Sequence, residues 1–134
     1  MKYRCILIFF FLLNISLAQE NPISASPMCG WDSLKSNMIY PELMRRAGIE
    51  KKVYINFTID TTGVINNVLF SRENIKSDTA SNIFEEVVLR VIKSENWIPK
   101  KHHGKSMCDE ITLEVDFELI SDNYRHFLIV KKVP

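Results

Sequence analysis

The sequence predicts a small α+β domain, because stretches with strand-like alternation occur together with one long amphipathic helical pattern. The clearest strand is Lys52–Asp60, where apolar residues at Val53, Ile55, Phe57 and Ile59 alternate with more polar ones. A period of two in a run rich in β-branched and aromatic residues is typical of a strand with one buried face. The other elements can be assigned in order as parts that extend this sheet or cover its apolar face.

The overall composition is that of one ordinary globular domain. The chain has 134 residues, of which 46% are hydrophobic and 25% charged, and its formal net charge is +1. Such a near-neutral balance argues against a nucleic-acid partner, which usually requires a clear basic excess.

The N-terminus has the features of a secretory signal peptide over residues 1–18. Lys2 and Arg4 form a basic start, Cys5–Leu13 is almost wholly apolar, and the small residues Ser16 and Ala18 precede a cleavage site. We therefore expect export and cleavage after Ala18. The alternative is an uncleaved membrane anchor, although the apolar run is shorter than the roughly 20 residues that a membrane helix needs. Loss of Lys2 and Arg4 from the 17 basic side chains leaves 15 against 16 acidic ones, a net charge of −1.

Export changes the interpretation of the cysteines. Cleavage would leave Cys29 and Cys108 as the remaining cysteines, and an even number in an oxidising compartment favours a disulfide between them. Two unpaired thiols are the alternative. A redox-active pair is disfavoured because the sequence has no Cys-x-x-Cys spacing.

The segment before the central strand predicts a leader and two short helices. Residues 19–31 are assigned as a leader, in which the polar, proline-containing stretch Gln19–Pro27 is predicted to be poorly ordered and order begins at Cys29. A first helix is predicted over about residues 32–38. Pro41 is placed as the first residue of a second helix, which ends at Gly48. The inner face of this second helix is predicted to carry Leu43, Met44 and Ala47.

A hairpin and the long helix follow the central strand. The polar sequence ending at Gly63 predicts a hairpin turn into a second strand, Val64–Ser71. The long helix is predicted over Thr79–Ser94, with Ser77 or Asp78 as its cap. Apolar residues three and four positions apart make one buried stripe along it, formed by Ile83, Phe84, Val87, Val88, Val91 and Ile92.

The C-terminal third predicts a third strand and a candidate fourth. After a basic loop, Lys100–Lys105, the segment Met107–Leu119 alternates apolar residues with acidic ones. The acidic residues are predicted to form a solvated face that opposes aggregation. Tyr124–Val133 follows a polar turn and could form a fourth strand.

The sequence contains no convincing catalytic or metal-binding pattern. His102-His103 is a candidate metal ligand pair, but adjacent residues in a loop rarely converge on one ion, and no Cys or His spacing accompanies them. A solvated basic loop is the favoured interpretation. Glu114 and Glu118 would lie about 13 Å apart along a strand, too far for an acid–base pair. We therefore predict no enzymatic activity, no metal or other cofactor and no small-molecule substrate.

Several short motifs then recur in a specific order. This ordered set covers about residues 38–119 and resembles the TonB C-terminal domain family, although Lys51 stands where that family usually has glycine. Each motif is weak alone, and their order is what makes the resemblance specific. The motifs are Tyr40-Pro41, Gly48-Ile49-Glu50, the strand Val53–Asp60, Gly63-Val64-Ile65, the long helix, Trp97-Ile98-Pro99, Gly104-Lys105 and Val115-Asp116-Phe117.

The resemblance implies both a fold and a binding mode. It implies a two-layer α+β fold in which a small antiparallel sheet of three strands packs against the long helix, with Lys52–Asp60 central and Met107–Leu119 at one edge. It also implies a non-enzymatic periplasmic module whose edge strand accepts the Ton box of an outer-membrane receptor. The apolar side chains of that strand would serve the core while its backbone binds. The residues assigned to partner binding are Tyr40, Pro41, Ile111, Leu113, Val115, Phe117 and Leu119.

A second hypothesis comes from the tail that follows the domain. With the domain at residues 32–121, residues 122–134 form a C-terminal extension that could fold back on the exposed sheet edge. The protein would then be a structural or regulatory periplasmic interaction protein. The tail would pair within its own chain, or it would be exchanged between two chains of a homodimer. Independently of the tail, the alternative to a partner-facing role for Tyr40-Pro41 is that the pair simply begins a helix.

Overall fold

The structure, a computed structural model, describes residues 20–71, 78–120 and 125–134, so the predicted signal peptide lies outside the described residues. Within these ranges the chain forms three helices and eight strands. In chain order they are β1 (Ser26–Pro27), α1 (Trp31–Asn37), α2 (Glu42–Arg46), β2 (Lys51–Ile59), β3 (Ile65–Ser71), α3 (Thr79–Ser94), β4 (Trp97–Ile98), β5 (Lys100–His102), β6 (Lys105–Met107), β7 (Asp109–Ile120) and β8 (Arg125–Val133).

The main sheet has four antiparallel strands in the order β3–β2–β7–β8. Strand β7 pairs with β2 on one side, and on the other side it pairs with β8 from Thr112↔Val133 to Ile120↔Arg125. The prediction that the β7 segment forms a sheet edge is therefore wrong. The predicted option of a fourth strand from the tail is confirmed, because β8 supplies partners for the backbone groups that would otherwise be unpaired on β7.

The core lies between this sheet and the helices. The inward side chains of β2 and β7 alternate along their strands as predicted, and Ile55, Phe57, Ile111 and Leu113 are fully buried. The α3 stripe packs on them, although Ile83 is only partly buried. Helix α1 contacts α3 and β8, so the sheet and helices form two layers.

Helix α3 begins and ends where the sequence predicts. The carboxylate of Asp78 accepts a hydrogen bond from the Ser81 N–H, so it caps the first turn. The other predicted cap, Ser77, lies outside the described residues. The cap is one reason why the helix begins at Thr79.

Residues 20–27 of the leader are ordered, which corrects the prediction of poor order for that stretch. Strand β1 pairs with β4, and Ile23 forms a bridge with Lys101. Ala25 is buried, and Trp97 packs edge-on against Phe57. The polar sequence of the leader gave no sign of this order. The pairing uses backbone N–H and C=O groups, and every residue except proline carries both.

Two other predictions are corrected in the same part of the fold. The predicted basic loop Lys100–Lys105 is a β-hairpin formed by β5 and β6, whose turn residues His103 and Gly104 have positive φ. Helix α2 buries Met44, whereas Leu43 is 67% exposed and Ala47 is also exposed. A helix of five residues makes little more than one turn, so it presents few side chains to the core.

Candidate functional site

Strand β7, which was predicted to bind the partner through its backbone, has neighbours on both sides. Its edge towards β8 is occupied over nine residue pairs. The side chains of Ile111, Leu113, Val115 and Phe117 are fully buried. Leu119 is partly buried, and its N–H donates to the Glu50 carboxylate at 2.7 Å. Neither the side chains nor the backbone of β7 is open to a partner while β8 is in place.

Tyr40 is a core residue, which corrects its assignment to a partner-facing surface. Its ring is 3% exposed and packs edge-on against Phe84 and Phe117. The hydroxyl donates to the Ile49 carbonyl at 2.5 Å, and burial together with the nearby Glu50 charge raises the pKa of this tyrosine. Tyr40 therefore holds the α1–α2 connection on the sheet.

Pro41 is partly buried and is the N-cap residue of α2. Its carbonyl accepts the Arg45 N–H at 2.9 Å, which begins the helix. Two apolar side chains beside the Tyr40-Pro41 motif are exposed instead, those of Ile39 and Leu43. Sequence reasoning did not identify them as exposed, because Leu43 was assigned to the inner face of a helix and no pattern marked Ile39, which lies between the two predicted helices.

The edges of the main sheet among the described residues are β3 and β8. On β8, Val130 packs against the core, while the adjacent Ile129 lies on the outer face and is 36% exposed. Register with β7 gives the same result, because Val130 pairs with the buried Val115 and Ile129 pairs with the outward-facing Asp116. Strand β8 therefore has one face in the core, one face towards solvent and one backbone edge on which none of the described strands pairs.

Ion pairs on the outer face of the sheet link β2 to β7. The ammonium group of Lys52 lies 3.0 Å from Glu114 and 3.1 Å from Asp116. The hydrogen bond from Lys52 is the largest cause of a lowered pKa at Glu114, and attraction to Lys131 on β8 adds to it. The two carboxylate side chains are only 20% and 14% exposed. The predicted solvated acidic row is thus a charge-paired face, and that prediction was wrong in this respect.

Asp109 joins the leader, the hairpin and β8 at the other end of β7. Its carboxylate accepts the Ala25 N–H at 2.9 Å. It also lies 3.5 Å from the Lys100 ammonium and 4.0 Å from that of Lys132. This side chain is mostly buried, so the acidic group serves to hold three separate segments of the chain together.

Cys29 and Cys108 are free and exposed, which corrects the predicted disulfide. Continuing the β1–β4 pairing by two residues places Cys29 opposite Glu95. The Glu95 carboxylate accepts a hydrogen bond from the Cys29 N–H at 3.2 Å. The register of the hairpin places Cys108 level with Pro99. These levels are four residues, or about 13 Å, apart along the strands, whereas a disulfide needs Cα atoms within about 7 Å.

The histidine pair stays on the surface of the hairpin turn, with the rings of His102 and His103 4.0 Å apart. Across residues 20–71, 78–120 and 125–134, no group of three or more His, Cys, Asp or Glu side chains could hold a metal ion. Among the same residues, no helix has the length and apolar character needed to cross a membrane.

Two kinds of comparison with known proteins, one with family models and one with solved structures, give matches. Residues 36–119 match the family model described as Gram-negative bacterial TonB protein C-terminal. Among solved structures, the fold is similar to the "Solution NMR structure of Pseudomonas aeruginosa TonB CTD", with a TM-score of 0.49 and 20% sequence identity. That match covers 81% of this chain and 94% of the other. The search of curated proteins gave no match.

Proposed function

The chain belongs to the family of Gram-negative bacterial TonB protein C-terminal domains, and we propose that it is a non-enzymatic protein-binding module of the periplasm. The family supports a place in the cell envelope and a protein as the partner. The proposed partner is an outer-membrane TonB-dependent receptor that contributes an extended, Ton-box-like segment. Binding occurs by strand addition, in which backbone hydrogen bonds supply affinity and side-chain pockets supply selectivity.

The observation that carries this proposal is the long, regular edge of β8. Its pairing with β7 runs from Arg125 to Val133 without a break in register. The backbone groups on its other side therefore lie in one row of about 30 Å, and no described strand occupies that side. An extended peptide laid along this row becomes a fifth strand and supplies the missing hydrogen bonds.

Addition beside β8 is favoured over replacement of β8. Only residues 121–124 separate β7 from β8 in the sequence, so β8 competes for β7 at an effective concentration on the order of millimolar. Replacement would also uncover Val130 and remove the contact between β8 and α1. Addition requires neither change, because the edge is already exposed.

A pair of matched variants tests where the receptor segment binds. Ile129 on β8 and Leu69 on β3 are both exposed apolar residues on the outer face of the sheet, one at each edge. Residues 19–134 would be titrated with synthetic peptides matching the N-terminal segments of the source bacterium's outer-membrane receptors. Ile129→Asp should weaken binding about tenfold, because a charge replaces an apolar cross-strand neighbour. Leu69→Asp should leave it unchanged.

Backbone amide hydrogen exchange supplies the direct readout of strand addition. Bound peptide should slow exchange along β8 and leave β3 unaffected. Slower exchange along β3, together with a larger loss of peptide binding in Leu69→Asp than in Ile129→Asp, would place the binding site at the opposite edge. That result would contradict the proposal. Absence of binding by every receptor peptide would reject the receptor as partner.

The position of β8 favours a second candidate function, in which the protein is regulatory or structural. Strand β8 covers the β7 edge that the family resemblance assigns to the Ton box, so it would act as a plug or be exchanged between two chains of a homodimer. Residues 19–121 should then bind receptor peptides more tightly than residues 19–134. Slow hydrogen exchange of the β2 amides in both the 19–121 and the 19–134 protein shows that each is folded. Equal or weaker peptide binding by residues 19–121 would contradict the hypothesis that β8 is a plug.

A further inference from the structure

The leader is attached to the domain mainly through backbone groups. The Ile23 N–H donates to the Lys101 carbonyl at 2.8 Å, and the Lys101 N–H donates to the Ile23 carbonyl at 2.9 Å. The Ile23 side chain is 71% exposed, so it adds little to this contact. Farther along, Ala25 is buried, and Ser26 and Pro27 pair with β4. Because a short terminal segment with few contacts opens locally, the loss of one hydrogen bond shifts its docking measurably.

The Ala25 N–H is bonded to a distant side chain rather than to a neighbouring strand. Continuing the β1–β4 register by one residue places Ala25 opposite Pro99, which has no N–H to return a backbone hydrogen bond. The Ala25 N–H donates to the Asp109 carboxylate at 2.9 Å, although the two residues are 84 positions apart. The Asp109 side chain is only 11% exposed, so solvent weakens this charge-assisted hydrogen bond little.

The same carboxylate attracts the C-terminal end of β8. The Lys132 ammonium lies 4.0 Å from Asp109 Oδ2, which is also the oxygen that accepts the Ala25 N–H. Lys132 is on the inner face of the sheet, since it pairs with the buried Leu113. The Lys100 ammonium lies 3.5 Å from the other carboxylate oxygen. One buried oxygen atom thus contacts both the leader and β8, which lie at opposite ends of the domain sequence.

We infer that the leader and the C-terminal end of β8 are held cooperatively through the Asp109 carboxylate. The docked leader keeps water from the carboxylate, and a charge pair is stronger where water is excluded. When the leader detaches, the carboxylate is hydrated and its attraction for Lys132 falls. Release of the leader therefore loosens the strand that covers the β7 edge, and loosening of β8 weakens leader docking by the same factor. Both candidate functions depend on β8, but the inference requires neither, because its test uses the protein alone.

Amide hydrogen exchange of residues 19–134 tests the effect of β8 on the leader. Lys132→Gln removes the β8 charge beside Asp109 and should speed exchange of the Ala25 amide about threefold. Lys131→Gln is the matched control, because it makes the same change on the neighbouring residue, whose charge is attracted to Glu114 instead. It should leave the Ala25 amide unchanged. Equal effects of the two variants would overturn the inference.

The reverse effect, of the leader on β8, is tested at Ile23. Ile23→Pro removes one of the N–H groups that hold the leader, and faster exchange of the Ala25 amide shows that the leader has detached. The β8 amides that donate to β7 should then exchange several-fold faster. Ile23→Ala keeps the N–H and removes only an exposed side chain, so it should change neither. Detachment of the leader without faster exchange in β8 would overturn the inference.

A variant of Asp109 separates its carboxylate from packing through a helix. Helix α1 contacts both β1 and β8, so packing alone could connect the two segments. Asp109→Asn keeps an acceptor for the Ala25 N–H but removes the charge that attracts Lys132. In this background, Ile23→Pro should no longer speed exchange in β8. An undiminished effect would assign the connection to α1 and overturn the inference. Slow exchange of the β2 amides shows that each variant is folded.

Discussion

The two edges of the main sheet differ in regularity, and the difference indicates which one can accept another strand. Strand β3 has seven residues, and its pairing with β2 shifts register between Asn56 and Thr58, next to Asn67, which has a φ of 52°. Such a bulge twists an edge and interrupts the row of backbone groups. Strand β8 pairs over nine residues without a shift. Only the β8 edge is therefore a regular template for a partner strand.

The two edges are also held to the core by different means. The β3 side depends on a tight turn in which the Asp60 carboxylate accepts the Thr62 and Val64 N–H groups and Gly63 has a φ of 86°. The β8 side depends on burial of Val130, and the charge of Lys131 on β8 is attracted to Glu114 on β7. Local chain geometry thus fixes one edge, and packing between distant segments fixes the other.

Substitution at Gly63 should have the largest effect, because it breaks the anchor of the β3 edge. A Cβ atom there would clash with the Trp97 carbonyl oxygen in a backbone that already has positive φ. Gly63→Ala should lower the free energy of unfolding by about 3 kcal/mol. Urea denaturation would measure this change.

Gly104→Ala is the matched control for that prediction. Gly104 also has positive φ, at 73°, but a Cβ there meets no atom within 4 Å. We expect a loss of about 1 kcal/mol from backbone strain alone. Equal losses in the two variants would show that the contact with Trp97 does not limit this turn.

A smaller effect is expected at the β8 edge, where neighbouring residues face opposite sides. Val130→Asp places a carboxylate against the core and should cost about 2 kcal/mol. Ile129→Asp places it on the outer face and should cost less than about 0.5 kcal/mol. Thermal or urea unfolding compares the two, and similar costs would mean that β8 is not packed on the core in solution.

The smallest effect concerns Glu114 on β7, which is ion-paired with Lys52 on β2 and attracted to the charge of Lys131 on β8. The folded pKa of Glu114 lies below its unfolded value of about 4.5. Its contribution to stability is therefore fully present above about pH 4.5 and is lost as the pH falls through the folded pKa. Glu114→Gln should be slightly less stable than the parent at pH 7, and the difference should vanish near pH 2.

Unfolding midpoints over this pH range would measure the effect of Glu114. Glu118→Gln, on the same face of β7, is the control for simple removal of an acidic side chain. If the unfolding midpoints of Glu114→Gln and the parent still differ by the same amount at about pH 2, charge pairing with Lys52 is not the source of the difference.

Local sequence pattern determined the elements whose evidence lies within a few residues. The alternation in Lys52–Asp60 located β2 to within one residue at each end, and the spacing of apolar residues located α3 at Thr79–Ser94. Gly63 marked a turn that does need positive φ. These features depend on which face of a short segment is buried, and periodicity records that directly. The ordered motifs also located the family match, predicted over about residues 38–119 and found over 36–119.

The candidate site depended on contacts that no local pattern records. Sequence predicted Tyr40 at a surface, although its ring is enclosed by Phe84 and Phe117, which lie far along the chain. It predicted a disulfide from the number of cysteines, which says nothing about the distance between Cys29 and Cys108. In both cases the residue type was informative, while its location required the packed structure.

Sequence by itself thus determined which segments are strands and helices, which of their faces are apolar, and to which family the chain belongs. Tertiary structure alone decided that β8 closes over β7, that the leader pairs with β4, and that β8 is the regular one of the two sheet edges among the described residues. The physical reason is that strands are joined by backbone N–H and C=O groups, which are nearly the same in every residue. Alternation therefore shows that a segment is a strand, and only the packing of all segments determines its neighbours.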